Sequence, residues 1–183
     1  MITPKREFKE QEDIIAGCLK EDPRAQKALY DLFSSKMFSV CVRYMGCREL
    51  AKDVLQEGFI TVFEKISSYS GSGSFEGWLR RVFVNTALMQ LRKSNVLRFS
   101  EELNDSDNSI IVEAEGLNGL STQELYKLIS SMPSGFRAVF NLYVIEGFSH
   151  IEIANQLNIT ESASRSQLSR AKGWLKDRLF ENR

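Results

Sequence analysis

In the stretch ITESASRSQLSRAK, from Ile159 to Lys172, serines and arginines recur where a core helix would carry leucine. Hydroxyls and guanidiniums at that density suit one kind of chemistry, hydrogen bonding to base edges and phosphate oxygens. Ser162, Arg165, Ser166, Ser169 and Arg170 are the candidate donors. An ordinary exposed helix surface would also accept such residues. A second basic stretch, FEGWLRRVFVNTALMQLRK (residues 75–93), sets Arg80, Arg81, Arg92 and Lys93 against a single acid, Glu76, with Arg98 just beyond. Cations clustered in this way favour a polyanion, because each phosphate they neutralise releases condensed counterions. Tyr69, Phe75 and Trp78 stand beside them, at the edge of the serine- and glycine-rich segment SSYSGSGSFEG (residues 67–77). Rings next to cations are the ingredients of a surface for unstacked bases. The alternative for Phe75 and Trp78 is a place in the core, sealing the start of a helix.

A third constellation has the opposite sign. ELAKDVLQEGFITVFEK (residues 49–65) puts Asp53, Gln56, Glu57 and Glu64 on one polar side. Asp53 and Glu57, four residues apart, are helix neighbours whose repulsion costs a few tenths of a kcal/mol unless compensated, ~0.2–0.5. A basic protein partner would compensate it; so would Arg48, Lys52 and Lys65, and a solvated surface is the plainer reading. Catalytic chemistry has no such foothold. His150 is the sole histidine and lies beside a helix cap, where solvent or backbone is its expected partner. No metal-ligand cluster, glycine-rich phosphate loop or nucleophile–base pair is present. The chain therefore reads as not an enzyme, with no catalytic residue, no metal and no cofactor.

These residues must be positioned by helices. Only three prolines and long runs of helix formers predict an all-α protein. Ile14, Ile15, Cys18 and Leu19 form a short apolar face. Asp22 then caps a helix beginning at Pro23, with Ala25, Ala28, Leu29, Leu32, Phe33, Val40, Cys41 and Tyr44 on its apolar face and Gly46 ending it. A helix from about Glu49 to Ile66 carries Leu50, Val54, Ile60, Val62, Phe63 and Ile66, and another starts near Phe75. From Ser100 to Gly119 the chain has six acids and no base, the composition of a linker with little fixed structure. Helices resume at Thr122, and two follow before the opening stretch. Two small helical domains are expected, residues 1–98 and 122–183, joined by an acidic linker over 99–121.

The polar helix has a cleanly built neighbour. Ser149 and Glu152 form an S-x-x-E capping box, and Ile153, Ala154 and Leu157 face inward. Asn158 breaks that helix and Thr160 caps the next, whose buried stripe continues through Leu168, Ala171, Leu175 and Leu179. Helix, tight turn and capped helix make a helix-turn-helix, whose second helix enters the DNA major groove by its N-terminal end. That end must be polar.

The totals set outer limits. Zero formal net charge hides the segregation just described, and 43% apolar residues are ordinary for a globular chain. Three scattered cysteines, odd in number and without a CxxC pair, point to buried thiols in a reducing cytoplasm. MITPKREFKEQED has no apolar core, so no secretion signal is expected, and no stretch approaches the ~18 apolar residues of a membrane span. A cytoplasmic location without direct membrane insertion follows.

Together these segments resemble a bacterial RNA polymerase sigma factor of the sigma-70 family, in its extracytoplasmic-function (ECF) group. AKDVLQEGFITVFEK resembles the polymerase-gripping helix of region 2, FEGWLRRVFVNTALMQLRK the part that reads and opens the −10 element, and residues 132–179 region 4, which reads the −35 element. The resemblance implies that Asp53, Gln56 and Glu57 meet an arginine-rich coiled coil of the largest subunit of core RNA polymerase. It implies that the loop 68–74, with Tyr69, Ser70 and Gly71, holds a base flipped from the −10 single strand. Phe75, Trp78, Arg80, Arg81 and Asn85 would line the adjoining DNA. Ser162, Arg165, Ser166, Ser169 and Arg170 would meet the −35 duplex. The implied partners are core RNA polymerase, promoter DNA and an anti-sigma factor, often membrane-anchored. The sequence departs from the family at Met89, often aspartate, and at Ala163 and Ser164, commonly threonine and valine. A serine at 164 either weakens packing of the recognition helix or adds a contact. The rival reading is a stand-alone helix-turn-helix regulator that binds duplex DNA, usually as a dimer; it accounts for residues 149–178 but not for the aromatic–basic loop or the acidic helix.

Overall fold

The computed structural model describes residues 4–93 and 122–181. Among these residues all regular structure is helical. The helices are α1 (Pro4–Cys18), α2 (Pro23–Met45), α3 (Arg48–Lys65), α4 (Phe75–Lys93), α5 (Thr122–Ser131), α6 (Ser134–Phe140), α7 (His150–Leu157) and α8 (Glu161–Glu181). A 3₁₀ turn, Ile66–Ser68, follows α3, and a wider π turn, Asn141–Ile145, continues α6. The described residues form two compact units, one within Met1–Cys41 and Glu49–Ala87, the other within Val42–Arg48 and Leu88–Arg183. The expected acidic linker lies outside the described residues. None of the described helices is long and apolar enough to cross a membrane.

In the first unit, α2 begins as expected: Asp22 Oδ1 accepts from Arg24 N–H at 2.9 Å, and Pro23 takes the position where no N–H is needed. Leu29, Phe33, Met37 and Val40 from α2 are buried, as are Val54, Leu55, Phe59 and Val62 from α3 and Phe75, Leu79, Phe83 and Val84 from α4. Rings knit the first unit: Phe59 stands edge-on to Phe83 with centroids 5.1 Å apart, and Phe33 to Phe75 at 5.8 Å. Gly58 sits inside α3 because Phe83 leaves no room, a Cβ there falling 2.2 Å from the ring. Three residues expected on apolar faces, Leu19, Leu32 and Leu50, are exposed. So is Ile60, 53% exposed, which lies three residues past Glu57 and therefore shares the polar side of α3. Cys18 and Cys41 are buried, the Cys41 thiol being pushed up to about 12 by burial, whereas Cys47 is only half-buried.

In the second unit, Ile129, Met132, Val139, Leu142, Ile153, Leu157, Leu168, Ala171 and Leu175 are buried. Two arginines, Arg43 and Arg137, are buried with them. Arg137 donates to the carbonyls of Tyr44, Ser130, Met132 and Met45 at 2.7–2.9 Å, so its buried donors are matched, and burial lowers its pKa. Gly46, at φ +77°, is needed beside it: a Cβ would come within 2.4 Å of Arg137 Nη1.

Candidate functional site

The loop 69–74 and the start of α4 form one local structure. Ser74 Oγ accepts from Gly77 N–H at 3.0 Å and so caps α4. Tyr69 O–H donates to the Gly73 carbonyl at 2.8 Å, which closes the loop on itself. Gly71 and Gly73 have φ of +76° and +79°, and open space surrounds both. Beneath them Tyr69, Phe75 and Trp78 form a ring cluster with centroids 5.1–5.8 Å apart. Phe75 is 1% exposed. Its assignment as a DNA-contacting residue is therefore corrected: it is the core aromatic of the alternative reading, on which Tyr69 and Trp78 rest. Those two are half-buried, and Ser70 and Gly71 are exposed.

Along α4, Trp78, Arg81, Asn85, Met89 and Arg92 recur at three- and four-residue steps and share a face. Arg81, Asn85 and Arg92 are exposed; Arg80, half-buried, lies beside this stripe. Met89 is 55% exposed, an apolar side chain at the surface and not a core residue.

On α3 the structure brings Asp53, Gln56 and Glu57 together as expected, all exposed, with Ile60 and Glu64 continuing the face. The buried side is Ala51, Val54, Leu55, Phe59 and Val62. An acidic rim around an exposed isoleucine offers a basic partner both charge and apolar area.

The helix-turn-helix is built as its sequence dictates. Ser149 and Glu152 cap each other's backbone N–H groups, and the Ser149 N–H and O–H hold the Glu152 carboxyl below its ordinary value. Asn158 ends α7 in the left-handed conformation, φ +55°. Thr160 Oγ1 accepts from Ala163 N–H at 3.0 Å and caps α8. On α8, Ser162, Arg165 and Ser166 are exposed, and Ser169 and Arg170 half-buried. Arg165 pairs with Glu161 one turn earlier, a surface contact that phosphate could displace.

Ser164 settles the alternative left open above: it adds a contact. It is fully buried, and its Oγ lies 2.9 Å from Nδ1 of His150. The expectation that His150 meets only solvent or backbone is thus corrected. No periodicity rule links positions across a helix-turn-helix; the available signal was a polar residue at a position usually apolar, in a chain with one histidine.

Two family models match the chain: Sigma-70 region 2 over residues 29–96, and Sigma-70, region 4 over residues 122–175. The ECF RNA polymerase sigma factor SigE of Mycolicibacterium smegmatis is 31% identical over 156 residues, covering 81% of this chain and 59% of that protein. This chain thus spans little more than half of that relative's length. The ECF RNA polymerase sigma factor SigW of Bacillus subtilis is 26% identical over 181 residues, covering 87% and 91%. Among solved structures, the sigma factor RpoE of Bartonella quintana, in complex with the anti-sigma factor NepR, is similar in fold, with a TM-score of 0.50, 19% identity, and coverage of 85% and 96%. With the two regions matched in order and ECF factors as its relatives, the chain belongs to the sigma-70 family of RNA polymerase sigma factors, in the ECF group.

Proposed function

We propose that this chain directs promoter-specific initiation by bacterial RNA polymerase, acting in the cytoplasm by binding and not by catalysis. It docks on the core enzyme through Asp53, Gln56 and Glu57 of α3. Residues 1–98 then serve the −10 element and residues 122–183 the −35 element, with 99–121 as tether. The observation that carries this reading is the presence, in one chain matched by both sigma regions, of two separated cationic surfaces and one acidic one. A stand-alone regulator of duplex DNA would need neither the acidic α3 face nor the aromatic loop.

The energetics follow from the surfaces. On α8, the hydroxyls can donate to base edges while Arg165, Arg170 and the helix N-terminus face phosphate. At the −10 element, a base leaving the stack finds the open loop at Gly71 and Gly73 and the ring of Trp78, with Tyr69 beside it. Stacking of that kind contributes roughly 1–3 kcal/mol per base, and Arg80 and Arg81 would neutralise nearby phosphates. Tethering raises the local concentration of the second DNA-binding surface once the first is engaged. The acidic α3 face would meet the basic coiled coil of the largest polymerase subunit. An anti-sigma factor, of the kind that accompanies the Bartonella protein and often membrane-anchored in this family, would hold the chain inactive by covering the polymerase-binding surfaces.

The test is run-off transcription from host genomic fragments with the host's core polymerase. Core enzyme plus this chain should yield discrete start sites that core alone does not; absence of any such start site overturns the reading.

A further inference from the structure

The promoter-reading scheme leaves the chain's only histidine without a role, although it sits inside the helix-turn-helix. His150 is the first residue of α7, and its Nδ1 faces Ser164 Oγ of α8 at 2.9 Å. The serine is fully buried, so its hydroxyl needs a partner within the protein, and the imidazole supplies one. Tyr143, from the π turn, stacks on the imidazole with centroids 4.5 Å apart and planes 21° apart. The ring is thus held from two sides, yet His150 itself is only half-buried. With Nδ1 engaged by Ser164, Nε2 is the nitrogen left for an outside acceptor.

The charges around the ring come mainly from α8. Arg165 and Lys172 bring positive charge to it and Glu161 negative charge. Tyr143 faces it from the π turn, and Glu152 on its own helix is committed to the capping box. Arg165 belongs to the exposed donor set of α8, so the imidazole lies at the rim of that surface.

We propose that His150, held in place by Ser164 and Tyr143, is a proton-dependent phosphate contact of the −35 interface, so that promoter binding through α8 takes up a proton. The proposal rests on the reading of α8 as the −35 surface. In the free chain, burial first, then Arg165 and Lys172, hold the imidazole below its ordinary value against the opposing pull of Glu161, so the ring is neutral at neutral pH. A DNA phosphate adds negative charge beside it and favours the imidazolium. Ser164 Oγ can accept from Nδ1–H in both protonation states, and the second N–H of the cation then meets the phosphate. By linkage, affinity rises as pH falls through the window between the free and the DNA-bound pKa, and is level above that window.

The experiment measures binding of reconstituted holoenzyme to a labelled promoter duplex, selected by that holoenzyme from host DNA, between about pH 6 and about pH 8. Wild type should gain about three- to tenfold in affinity toward acid relative to H150Q. At the alkaline end the two should agree within about twofold, since the contact is then unmade. S164V, which frees the ring, should lose most of the gain. Parallel pH dependence in wild type and H150Q overturns the proposal. A variant carrying R165A and R170A separates the two levels: binding like wild type at every pH would remove the −35 reading itself, whereas weak binding at every pH, with parallel curves for wild type and H150Q, removes only the proton coupling. A second measurement needs no variant. The single histidine resonance of the full chain, titrated with and without −35 duplex at a concentration that anisotropy shows to be saturating, should show its pKa raised by about one unit or more by DNA; an unmoved value in the saturated complex also overturns the proposal.

Discussion

At the scale of single residues, burial separates neighbours with similar chemistry. Trp78 and Phe75 stack on each other at 5.5 Å, but only Trp78 reaches the surface. Trp78→Ala should therefore reduce promoter opening about tenfold to a hundredfold, the loss of one stacked base, while −35 duplex binding persists; permanganate reactivity of unpaired thymines would report the first and footprinting the second. Phe75→Ala should instead lower stability by about 3–5 kcal/mol, as a cavity in a packed core does, seen as a lower denaturant midpoint. Arg165→Ala with Arg170→Ala should reduce the slope of log affinity against log salt by about two, one for each phosphate no longer neutralised. The three aromatics were legible as a cluster from composition and spacing. Which of them faced outward was not, because that depends on the ring contributed by Phe33 from a distant helix.

At the scale of elements, local chemistry wrote most of the fold. Asp22–Pro23, Ser149–Glu152, Asn158 and Thr160 each marked a helix end that the structure contains, because caps are short-range and their residue types are few. The π turn at Asn141–Ile145 and the exposure of Leu32, Leu50 and Ile60 were not legible, since both depend on what packs opposite. Thr160→Ala should destabilise the second unit by about 1 kcal/mol through the start of α8, measurable as a lower thermal midpoint with weaker −35 binding. Gly58→Ala should cost about 1–3 kcal/mol, because its methyl must displace the Phe83 ring; an unchanged denaturant midpoint would contradict that packing. The Ser149–Glu152 box carries its own pH signature. With the Glu152 carboxyl held low in the folded state, its contribution is present above the ordinary carboxylate range and is lost as pH falls through the folded pKa.

At the scale of the whole molecule, zero net charge conceals two clusters of basic residues and one acidic helix face. Under the proposed function, the acidic α3 face would draw the chain to a basic protein partner. Asp53→Ala with Glu57→Ala should weaken association with core polymerase while leaving helicity unchanged, and the loss should lessen at high salt, where the native attraction is itself screened. Under the proposed function, both cationic surfaces act on one promoter, held there by the polymerase. The most direct test is transcription start-site mapping with core enzyme, comparing the intact chain with Arg80→Ala plus Arg81→Ala and, separately, Arg165→Ala plus Arg170→Ala. Each double variant should lose the start sites that the intact chain specifies, by about tenfold or more for two cations withdrawn from phosphates or base edges. Full-strength transcripts from the same positions with both variants would contradict the account.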